Sequence, residues 1–296
     1  MEKIKTVILG SPGAWHTQTL TAALRKRGVE PVFGDAARLQ VRLGSSPGVT
    51  VEATFLSDAD LVLVREVPGG TLEQVIYRMD ALHQLENGGV RVINSPYAIE
   101  KMVDKYYALS LLQDAGLRVP ETRLTESPSE ALEAFHSLGG DVVVKPLFGS
   151  RGVGMVRVTE TDTAGRVFRA LQLGGYVYYL QKYIPHNNRD QRVMVIGEEC
   201  VAAMERVADS WKTNIAAGAW PIRTEVTSDV RDVCLQAARR LEADYCGVDL
   251  LRSEAGELFV LEVNSMPAWQ GLQEVTPFDV ADRIVKYCFD VIQRKS

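Results

Sequence analysis

Short apolar runs alternate with amphipathic segments along the first third of the chain, and this alternation restricts the fold more than any other feature. The runs are typical of buried strands, and the segments between them have the length and spacing of helices that stop at glycine. In chain order the pattern predicts strand 4–9, helix 17–27, strand 60–65, helix 71–87 and strand 90–93. Because strands that alternate with helices form parallel sheets, we predict a parallel α/β lobe over residues 1–95.

The rest of the chain has a different pattern, in which strand-like runs occur beside helices and beside each other. We predict one long helix over 96–115 and then a region of α+β type. Its predicted elements are strand 141–145, helix 161–171, strand 176–181, an antiparallel pair at 192–196 and 200–207, and helices at 226–243 and 278–294. A chain of 296 residues suits two or three compact lobes, and we divide it into lobes 1–95, 96–185 and 186–296.

Composition argues against several classes of protein. The net charge of −5 and the pI of about 5.5 give no overall positive field for nucleic acid. The four cysteines are scattered without a CxxC pair, which argues against a zinc ribbon or a redox dithiol and favours a reducing compartment. The amino terminus lacks a signal-peptide core, and no apolar stretch approaches the ~18 residues that span a membrane. We therefore expect a cytoplasmic protein that binds neither nucleic acid nor membranes.

Three polar side chains interrupt apolar, strand-like runs near the carboxyl end. Asp249 ends one run, Glu262 follows thirteen positions later, and Asn264 stands two residues beyond it. Because side chains alternate along a strand, Glu262 and Asn264 share a face, and a neighbouring strand could bring Asp249 beside them. Hard oxygen ligands of this kind suit Mg²⁺, which takes one or two carboxylates together with substrate phosphates. The alternative is that these residues are polar strand ends that face solvent.

A lysine followed by a glycine loop indicates phosphate binding in the middle of the chain. The strand Val142–Lys145 ends in the lysine, and Gly149–Gly154 follows with the order GxxGxG. Glycines let backbone N–H groups approach phosphate oxygens, while Ser150 and Arg151 add a hydroxyl and a charge. The order matches neither a P-loop nor a dinucleotide fingerprint, and we interpret Gly10–Gly13 as a structural turn. The alternatives are a lysine that extends to solvent and a loop that is a hairpin turn.

Six short motifs extend these observations to nearly the whole chain. They are Asp104-Lys105, Val144-Lys145-Pro146, Gly149–Gly154, Leu180–Ile184, Gly247-Val248-Asp249 and Leu261–Asn264. Each is unspecific alone, but their order and spacing resemble the ATP-grasp superfamily and, more narrowly, the RimK-type carboxylate–amine ligases. The resemblance implies an ATP-grasp fold of α/β and α+β class. Two α+β lobes would hold ATP, and the N-terminal parallel α/β lobe would be the pre-ATP-grasp lobe.

The resemblance also implies roles for particular residues. Lys105 and Lys145 match the lysines that reach the nucleotide phosphates, and Asp249, Glu262 and Asn264 match the ligands of magnesium. Two ions are expected, with Mn²⁺ as an alternative to Mg²⁺. The other implied nucleotide contacts are the loop residues Ser150, Arg151 and Gly152, the adenine hinge Gln181, Lys182, Tyr183 and Ile184, the ribose residue Asp190, and Lys212 and Asn214 near the phosphates. Lysine at 212 stands where RimK has arginine, so it keeps the charge and loses the bidentate fork.

Ligases of this type activate a carboxylate as an acylphosphate with the γ-phosphoryl group of ATP, and an amine then displaces phosphate to form an amide. Lys145 is our candidate for neutralising charge during phosphoryl transfer, and Arg206 for stabilising the oxyanion. The glycine loop would close over ATP and exclude water. Related ligases add glutamate or similar amino acids to a ribosomal protein tail, an amino-group carrier protein or a pterin cofactor, and the analogy also implies a homo-oligomer.

The residues that would select the acceptor are less well defined by the sequence. The candidates are Trp15, His16, Arg65, Arg206 and Trp211. Arg65 ends a strand of the α/β lobe, where ligands usually bind, and its guanidinium could hold a substrate carboxylate; the alternative is a surface ion pair. The tryptophans could stack on a flat heterocycle or simply fill the core.

The segments Arg78–Leu82 and Trp211–Asn214 look most similar to the tetrahydromethanopterin:glutamate ligase branch. We therefore expect L-glutamate to be added to a pterin-type cofactor. Two alternatives stay open: a ligase that acts on a protein tail or an amino-group carrier protein, and a non-catalytic nucleotide-binding scaffold that kept the fold.

Overall fold

The computed structural model describes residues 4–44, 48–149 and 152–295, and its first lobe contains a four-stranded parallel sheet between helices. The elements of this lobe are β1 (Thr6–Leu9), α1 (Trp15–Arg25), β2 (Val32–Gly34), β3 (Leu39–Arg42), β4 (Gly48–Val51), β5 (Thr54–Phe55), β6 (Leu61–Val64), α2 (Leu72–Asn87) and β7 (Arg91–Ile93). The strand order β2-β1-β6-β7, parallel throughout, confirms the predicted α/β lobe. Every residue of β1 and β6 is buried because α1 and α2 cover opposite faces, and both strands are therefore continuous apolar runs.

A small antiparallel sheet, β3-β4-β5, is inserted between β2 and β6 and was not predicted. Its strands are short, and Leu39, Val49 and Val51 reach the core that α2 shares with the parallel sheet. Such short strands leave no periodic pattern for a sequence to reveal.

The predicted helix over 96–115 is wrong in one respect, because it is two helices. These are α3 (Pro96–Val103) and α4 (Lys105–Asp114). The break lies at Asp104, whose backbone is extended (φ −87°, ψ 102°) and whose carboxylate accepts a hydrogen bond from the N–H of Tyr107 at 3.0 Å. Asp104 is therefore an N-cap, and Lys105 stands at the first position of a new helix.

The central lobe is an antiparallel sheet covered on one face by a pair of helices. Its elements are β8 (Thr122–Thr125), α5 (Pro128–Ser137), β9 (Val142–Lys145), β10 (Val156–Val158), α6 (Thr161–Leu173) and β11 (Tyr178–Lys182). The strand order is β10-β9-β11-β8. Phe135 of α5 and Phe168 of α6 pack on Val144 and Leu180. Lys145, at the carboxyl end of β9, lies outside this core.

The C-terminal lobe is a five-stranded antiparallel sheet with the order β14-β13-β12-β15-β16. Its elements are β12 (Arg189–Ile196), β13 (Glu199–Val207), β14 (Trp220–Arg223), α7 (Ser228–Arg240), β15 (Tyr245–Arg252), β16 (Leu258–Asn264), α8 (Gln270–Glu274) and α9 (Val280–Lys295). Strands β12 and β13 form the predicted antiparallel pair, which turns at Gly197. The pairing of β15 with β16 places Asp249 opposite Glu262, and Gly247 opposite Asn264.

The lobes share buried cores. Side chains of α3 and α4 pack with α7 against the C-terminal sheet, while α1 of the first lobe packs against α9. An ion pair between Arg27 and Asp282 (2.6 Å) crosses the α1–α9 contact. The boundaries at 96 and 186 stay a prediction. Within the described ranges, no helix is both long enough and apolar enough to cross a membrane.

Candidate active site

A cavity of about 670 Å³, partly open to solvent, lies between the central and C-terminal lobes. Twelve of the residues singled out in the sequence line it: Lys145, Gln181, Lys182, Tyr183, Ile184, Asp190, Arg206, Trp211, Lys212, Asn214, Asp249 and Glu262. One cavity therefore joins the phosphate lysine, the hinge and both carboxylates.

Lys145 enters this cavity from the end of β9 and is held by a buried amide. Its Nζ donates to Oε1 of Gln181 at 2.6 Å, and Nε2 of Gln181 donates in turn to the hydroxyls of Thr122 (3.1 Å) and Tyr179 (3.3 Å). Burial lowers the pKa of the Lys145 ammonium to about 8, against the raising influence of Glu262. The side chain thus points into the cleft and does not extend to solvent.

Lys105 reaches the glycine loop from the first turn of α4. Its Nζ donates to the carbonyl oxygen of Gly149 at 2.7 Å and lies 3.4 Å from that of Leu147. Further along the loop, Gly152 packs so closely on Asn214 that a Cβ would lie 2.4 Å from its Oδ1, and the φ of Gly152 is +72°. The loop therefore bridges α4 and the C-terminal lobe at the cavity. The other two predicted loop contacts, Ser150 and Arg151, lie outside the described residues.

The predicted hinge is fixed by its neighbours. The guanidinium of Arg157 lies 3.4 Å from the ring centroid of Tyr183 and forms a bidentate pair with Asp141. The N–H groups of Lys182 and Tyr183 donate to the carbonyls of Glu121 (2.8 Å) and Asp141 (3.0 Å). Both N–H groups are thus engaged in the sheet, so contacts with an adenine would fall to other atoms of the hinge.

Asp249 lies between two arginines. Nε and Nη2 of Arg192 each donate to one of its oxygens at 2.6 Å, and Nη2 of Arg206 approaches its Oδ2 at 3.2 Å. Arg206 also forms a bidentate pair with Asp190, which further accepts a hydrogen bond from Thr213 at 2.6 Å. Burial would raise the pKa of Asp249, but Arg192 and Arg206 hold it below its usual value, so this carboxylate stays ionised.

Glu262 and Asn264 complete the predicted metal site, and their surroundings fit a cation. Burial and the nearby charge of Asp249 raise the pKa of Glu262, which means that two carboxylates repel each other there. The buried Nδ2 of Asn264 has no hydrogen-bond partner among the described residues, and a half-turn of the amide would present its oxygen instead. A hard cation would relieve the repulsion between the carboxylates and could bind the Asn264 oxygen of the turned amide. Within the described chain no group of three His, Cys, Asp or Glu residues is placed to hold a metal ion by itself.

The acceptor-side candidates form two separate groups. Trp15, His16 and Arg65 cluster with Trp269: the His16 and Trp269 rings are 4.6 Å apart, and Arg65 lies 4.7 Å from the Trp269 centroid. Trp211 is not in this cluster, because it lines the nucleotide cavity 6.5 Å from the ring of Tyr183.

Arg65 joins the first lobe to the C-terminal lobe. It donates to the hydroxyl of Tyr245 at 2.9 Å and to the carbonyl of Pro267 at 3.0 Å. These acceptors are neutral, so the expectation of a surface ion pair does not describe it. Trp269 is wholly buried and fills the core between the lobes, whereas Trp15 is half-buried at its edge. The cluster lies at the carboxyl ends of β1 and β6, where open α/β sheets bind ligands.

Comparison with known proteins agrees with this geometry. A family model described as the RimK-like ATP-grasp domain matches residues 102–288, and one described as the RimK PreATP-grasp domain matches residues 4–99. The chain belongs to the RimK-like ATP-grasp family. This confirms the predicted fold, and members of the family are ADP-forming ligases that use ATP and magnesium and join a carboxylate to an amine.

Two curated relatives cover almost all of this RimK-like ligase. The tetrahydromethanopterin:alpha-L-glutamate ligase of Methanosarcina acetivorans is 29% identical, over 99% of this chain and 100% of its own. A probable alpha-L-glutamate ligase of Pseudomonas aeruginosa is 31% identical, over 95% of this chain and 93% of its own. Among solved structures, the ATP-grasp ligase PsnB, complexed with minimal precursor, Mg and ADP, is 26% identical with a TM-score of 0.75 over 98% of both chains. The chain is thus a member of an ATP-grasp glutamate ligase family.

Sequence reasoning missed several polar residues of this ligase. Arg192 and Arg157 were not singled out as site residues, and neither the contact of Thr213 with Asp190 nor that of Gln181 with Lys145 was foreseen. Arg192 gave a signal, since it stands two residues after Asp190 on β12 and thus on the same strand face. Arg157 and Thr213 gave none, because their partners are distant in sequence.

Proposed function

We propose that this ligase adds L-glutamate to a carboxylate of a pterin-type cofactor, resembling tetrahydromethanopterin, through an acylphosphate. The observation that carries the proposal is the cavity in which Lys145 faces Asp249 and Glu262. Arg192, which binds Asp249, also contacts the carbonyl of Ala268 beside Trp269, and this connects the cavity to the cluster of Trp15 and Arg65 around Trp269. The names of the methanogen relatives support the choice of acceptor.

The first step forms a bond between an acceptor carboxylate oxygen and the γ-phosphorus while the bond from that phosphorus to ADP breaks. In the proposal Lys145 and Lys105 neutralise charge on the transferred group. Asp249, Glu262 and Asn264 would hold one or two magnesium ions, which supply Lewis-acid polarisation of the phosphates. Lys212 and Asn214 lie at the cavity rim where they can contact phosphate or substrate.

The second step forms a bond between the glutamate nitrogen and the acyl carbon. The bond from that carbon to phosphate breaks, the amine loses a proton, and phosphate leaves with the electron pair. Arg206, with Asp190 and Asp249 around it, is our proposed donor to the oxyanion that forms at the acyl carbon, from the phosphate side of the reacting group. The glycine loop, held by Lys105, would keep water from hydrolysing the acylphosphate.

On the acceptor side, we propose that half-buried Trp15 stacks on the pterin ring and that Arg65 and His16 orient it. An aromatic face suits a flat heterocycle, and a guanidinium suits its carboxylate. Arg65 has a buried Nε without a partner among the described residues, so it retains a donor for a ligand or a water.

The test measures ADP release with Mg²⁺, ATP, glutamate and tetrahydromethanopterin, and compares Glu262→Gln with Glu254→Gln. Glu262 is a proposed metal ligand, whereas Glu254 is an exposed residue of the turn between β15 and β16. We expect release that depends on glutamate and acceptor, lost in Glu262→Gln and kept in Glu254→Gln. Equal activity of the two variants would contradict the metal assignment.

A protein or peptide tail is the second candidate acceptor. The observation in its favour is the similarity to PsnB, which is solved with a precursor peptide. The same assay with a carboxylate-rich peptide in place of the pterin separates the two. ATP binding without turnover on any acceptor would favour the scaffold alternative. The predicted homo-oligomer is part of the proposal and is tested by light scattering of the intact chain.

A further inference from the structure

Arg192 and Arg206 both bind Asp249 but differ in their relation to the nucleotide cavity. Both donate to this carboxylate, and among the described residues the cavity wall includes Arg206 and not Arg192. Arg206 is also more enclosed, with 4% of its side chain exposed against 14% for Arg192. The two arginines therefore share one carboxylate, and Arg206 is the one that borders the nucleotide cavity.

The remaining nitrogen of Arg192 points towards the acceptor side. Its Nη1 lies 3.4 Å from the carbonyl oxygen of Ala268, in the segment that follows Asn264 and carries Trp269. Arg65 of the first lobe donates to the preceding carbonyl, that of Pro267. A 3.4 Å contact is a weak hydrogen bond, so a carboxylate would replace it with a shorter, charge-assisted one.

Gly247 provides the space for this arginine. It lies two residues before Asp249 on β15 and so shares its face. A Cβ at Gly247 would lie 2.9 Å from Cβ of Pro267 and 3.8 Å from both Cδ and Nε of Arg192. A larger side chain would thus displace the Pro267 segment and crowd the guanidinium.

We propose that Arg192 contacts the reacting carboxylate of the acceptor, a proposal that rests on the ligase function above. Nε and Nη2 hold Asp249, while Nη1 donates to the acyl oxygen and stabilises the negative charge that this oxygen gains when the amine adds. Because the other two donors are fixed by Asp249, the guanidinium is oriented before substrate binds, which is what oxyanion stabilisation requires. The acceptor half-site is then bounded by Arg192, the Pro267 segment and Arg65.

The experiment compares Arg192→Lys with Arg206→Lys, since both substitutions keep the charge and lose the fork. We expect the calorimetric Kd for MgADP of Arg192→Lys to stay within about threefold of the wild-type value. We expect its kcat/KM for the acceptor to fall roughly 10²-fold, as for loss of one oxyanion donor. We expect Arg206→Lys to weaken MgADP about tenfold, as for loss of a charged hydrogen bond. Arg192→Gln is the second variant, and thermal melting verifies that each folds.

Two results would overturn the role of Arg192: a Kd for MgADP raised as much as in Arg206→Lys, or a kcat/KM for the acceptor that stays within about threefold of wild type. The acceptor is whichever compound the wild-type enzyme uses, pterin or peptide. Wild-type inactivity with tetrahydromethanopterin would therefore contradict the pterin proposal alone. The MgADP comparison needs no acceptor and decides on which side of Asp249 this arginine acts.

Discussion

At the scale of single residues, charge burial explains most of the site. Lys145 lies half-buried beside Gln181. Burial, aided by the charge of Lys105, lowers its pKa to about 8 against the raising influence of Glu262 and Asp249. In the free protein this lysine loses its proton at lower pH than in the unfolded chain, where the pKa is 10.5. The unfolded state thus binds more protons between pH 8 and 10.5, and this group adds stability as pH rises through that window.

The same shift predicts proton uptake on nucleotide binding. Phosphate beside Lys145 favours its charged form, so at pH 9 ADP should bind together with up to about one proton, and its affinity should fall as pH rises above 8. Calorimetry in two buffers of different ionisation enthalpy measures the uptake. Lys145→Met is the control and should show none. Uptake that is unchanged in this variant would assign the proton to another group.

The hydrogen bond from Lys145 to Gln181 offers a way to change the pKa of this lysine. In Gln181→Glu a carboxylate replaces the amide oxygen 2.6 Å from Nζ, which should raise the pKa of Lys145 and abolish proton uptake at pH 9. Gln172→Glu, on the exposed end of α6, is the matched control and should keep the uptake. Uptake retained in Gln181→Glu would show that the contact is not maintained in solution.

The sequence located Lys145, Asp249, Glu262 and Asn264 because strand periodicity and motif order constrain them. It could not locate every polar contact of the site. Arg157 contacts Asp141 and Thr213 contacts Asp190, each more than ten positions away, and only the register of the folded sheets brings them together. The roles of the site residues belong to the proposed function.

At the scale of elements, the N-cap at Asp104 separates α3 from α4 and places Lys105 in the first turn of α4. The helical pattern over 96–115 continues through Asp104, so periodicity alone gave one helix, and the N-cap bond of Asp104 overrides it. The antiparallel pair β12–β13 was predicted because its strands are long, and the parallel sheet because β1 and β6 are apolar runs separated by helical segments. The β3–β5 sheet was missed because its strands are short and polar residues interrupt their apolar ones.

Asp104→Ala should therefore destabilise the protein by about 1 kcal/mol, the usual cost of losing an N-cap. The measurement is the urea midpoint of unfolding. Asp114→Ala, at the exposed carboxyl end of the same helix, should be neutral or slightly stabilising, because a negative charge there opposes the helix dipole. Equal effects of the two substitutions would argue against the cap.

At the scale of the whole molecule, the first and last lobes share a core around Trp269. Its ring is wholly buried between α1, β1 and α9, next to Arg65. The shared core was not predictable from sequence, since the residues that meet there come from both ends of the chain. It holds the cluster of Trp15, His16 and Arg65 in place relative to the C-terminal sheet that carries Asp249 and Glu262.

Trp269→Ala should cost about 3–5 kcal/mol and lower Tm by roughly 10 °C, because it leaves a cavity between the lobes. Trp220→Ala, at an exposed position of β14 (43% exposed), should change stability by less than about 0.5 kcal/mol. Calorimetric melting measures both. A small effect of Trp269→Ala would mean that the lobes do not depend on this contact.

The most direct test of the account follows an oxygen atom. Tetrahydromethanopterin with an ¹⁸O-labelled carboxylate is turned over with ATP and glutamate, and the released phosphate is analysed by mass spectrometry. An acylphosphate requires one labelled oxygen to pass from the acceptor to phosphate in each turnover, and the label should appear with ADP in equal amount. Phosphate without label, released at the same rate as the amide product forms, would contradict carboxylate activation by this ligase.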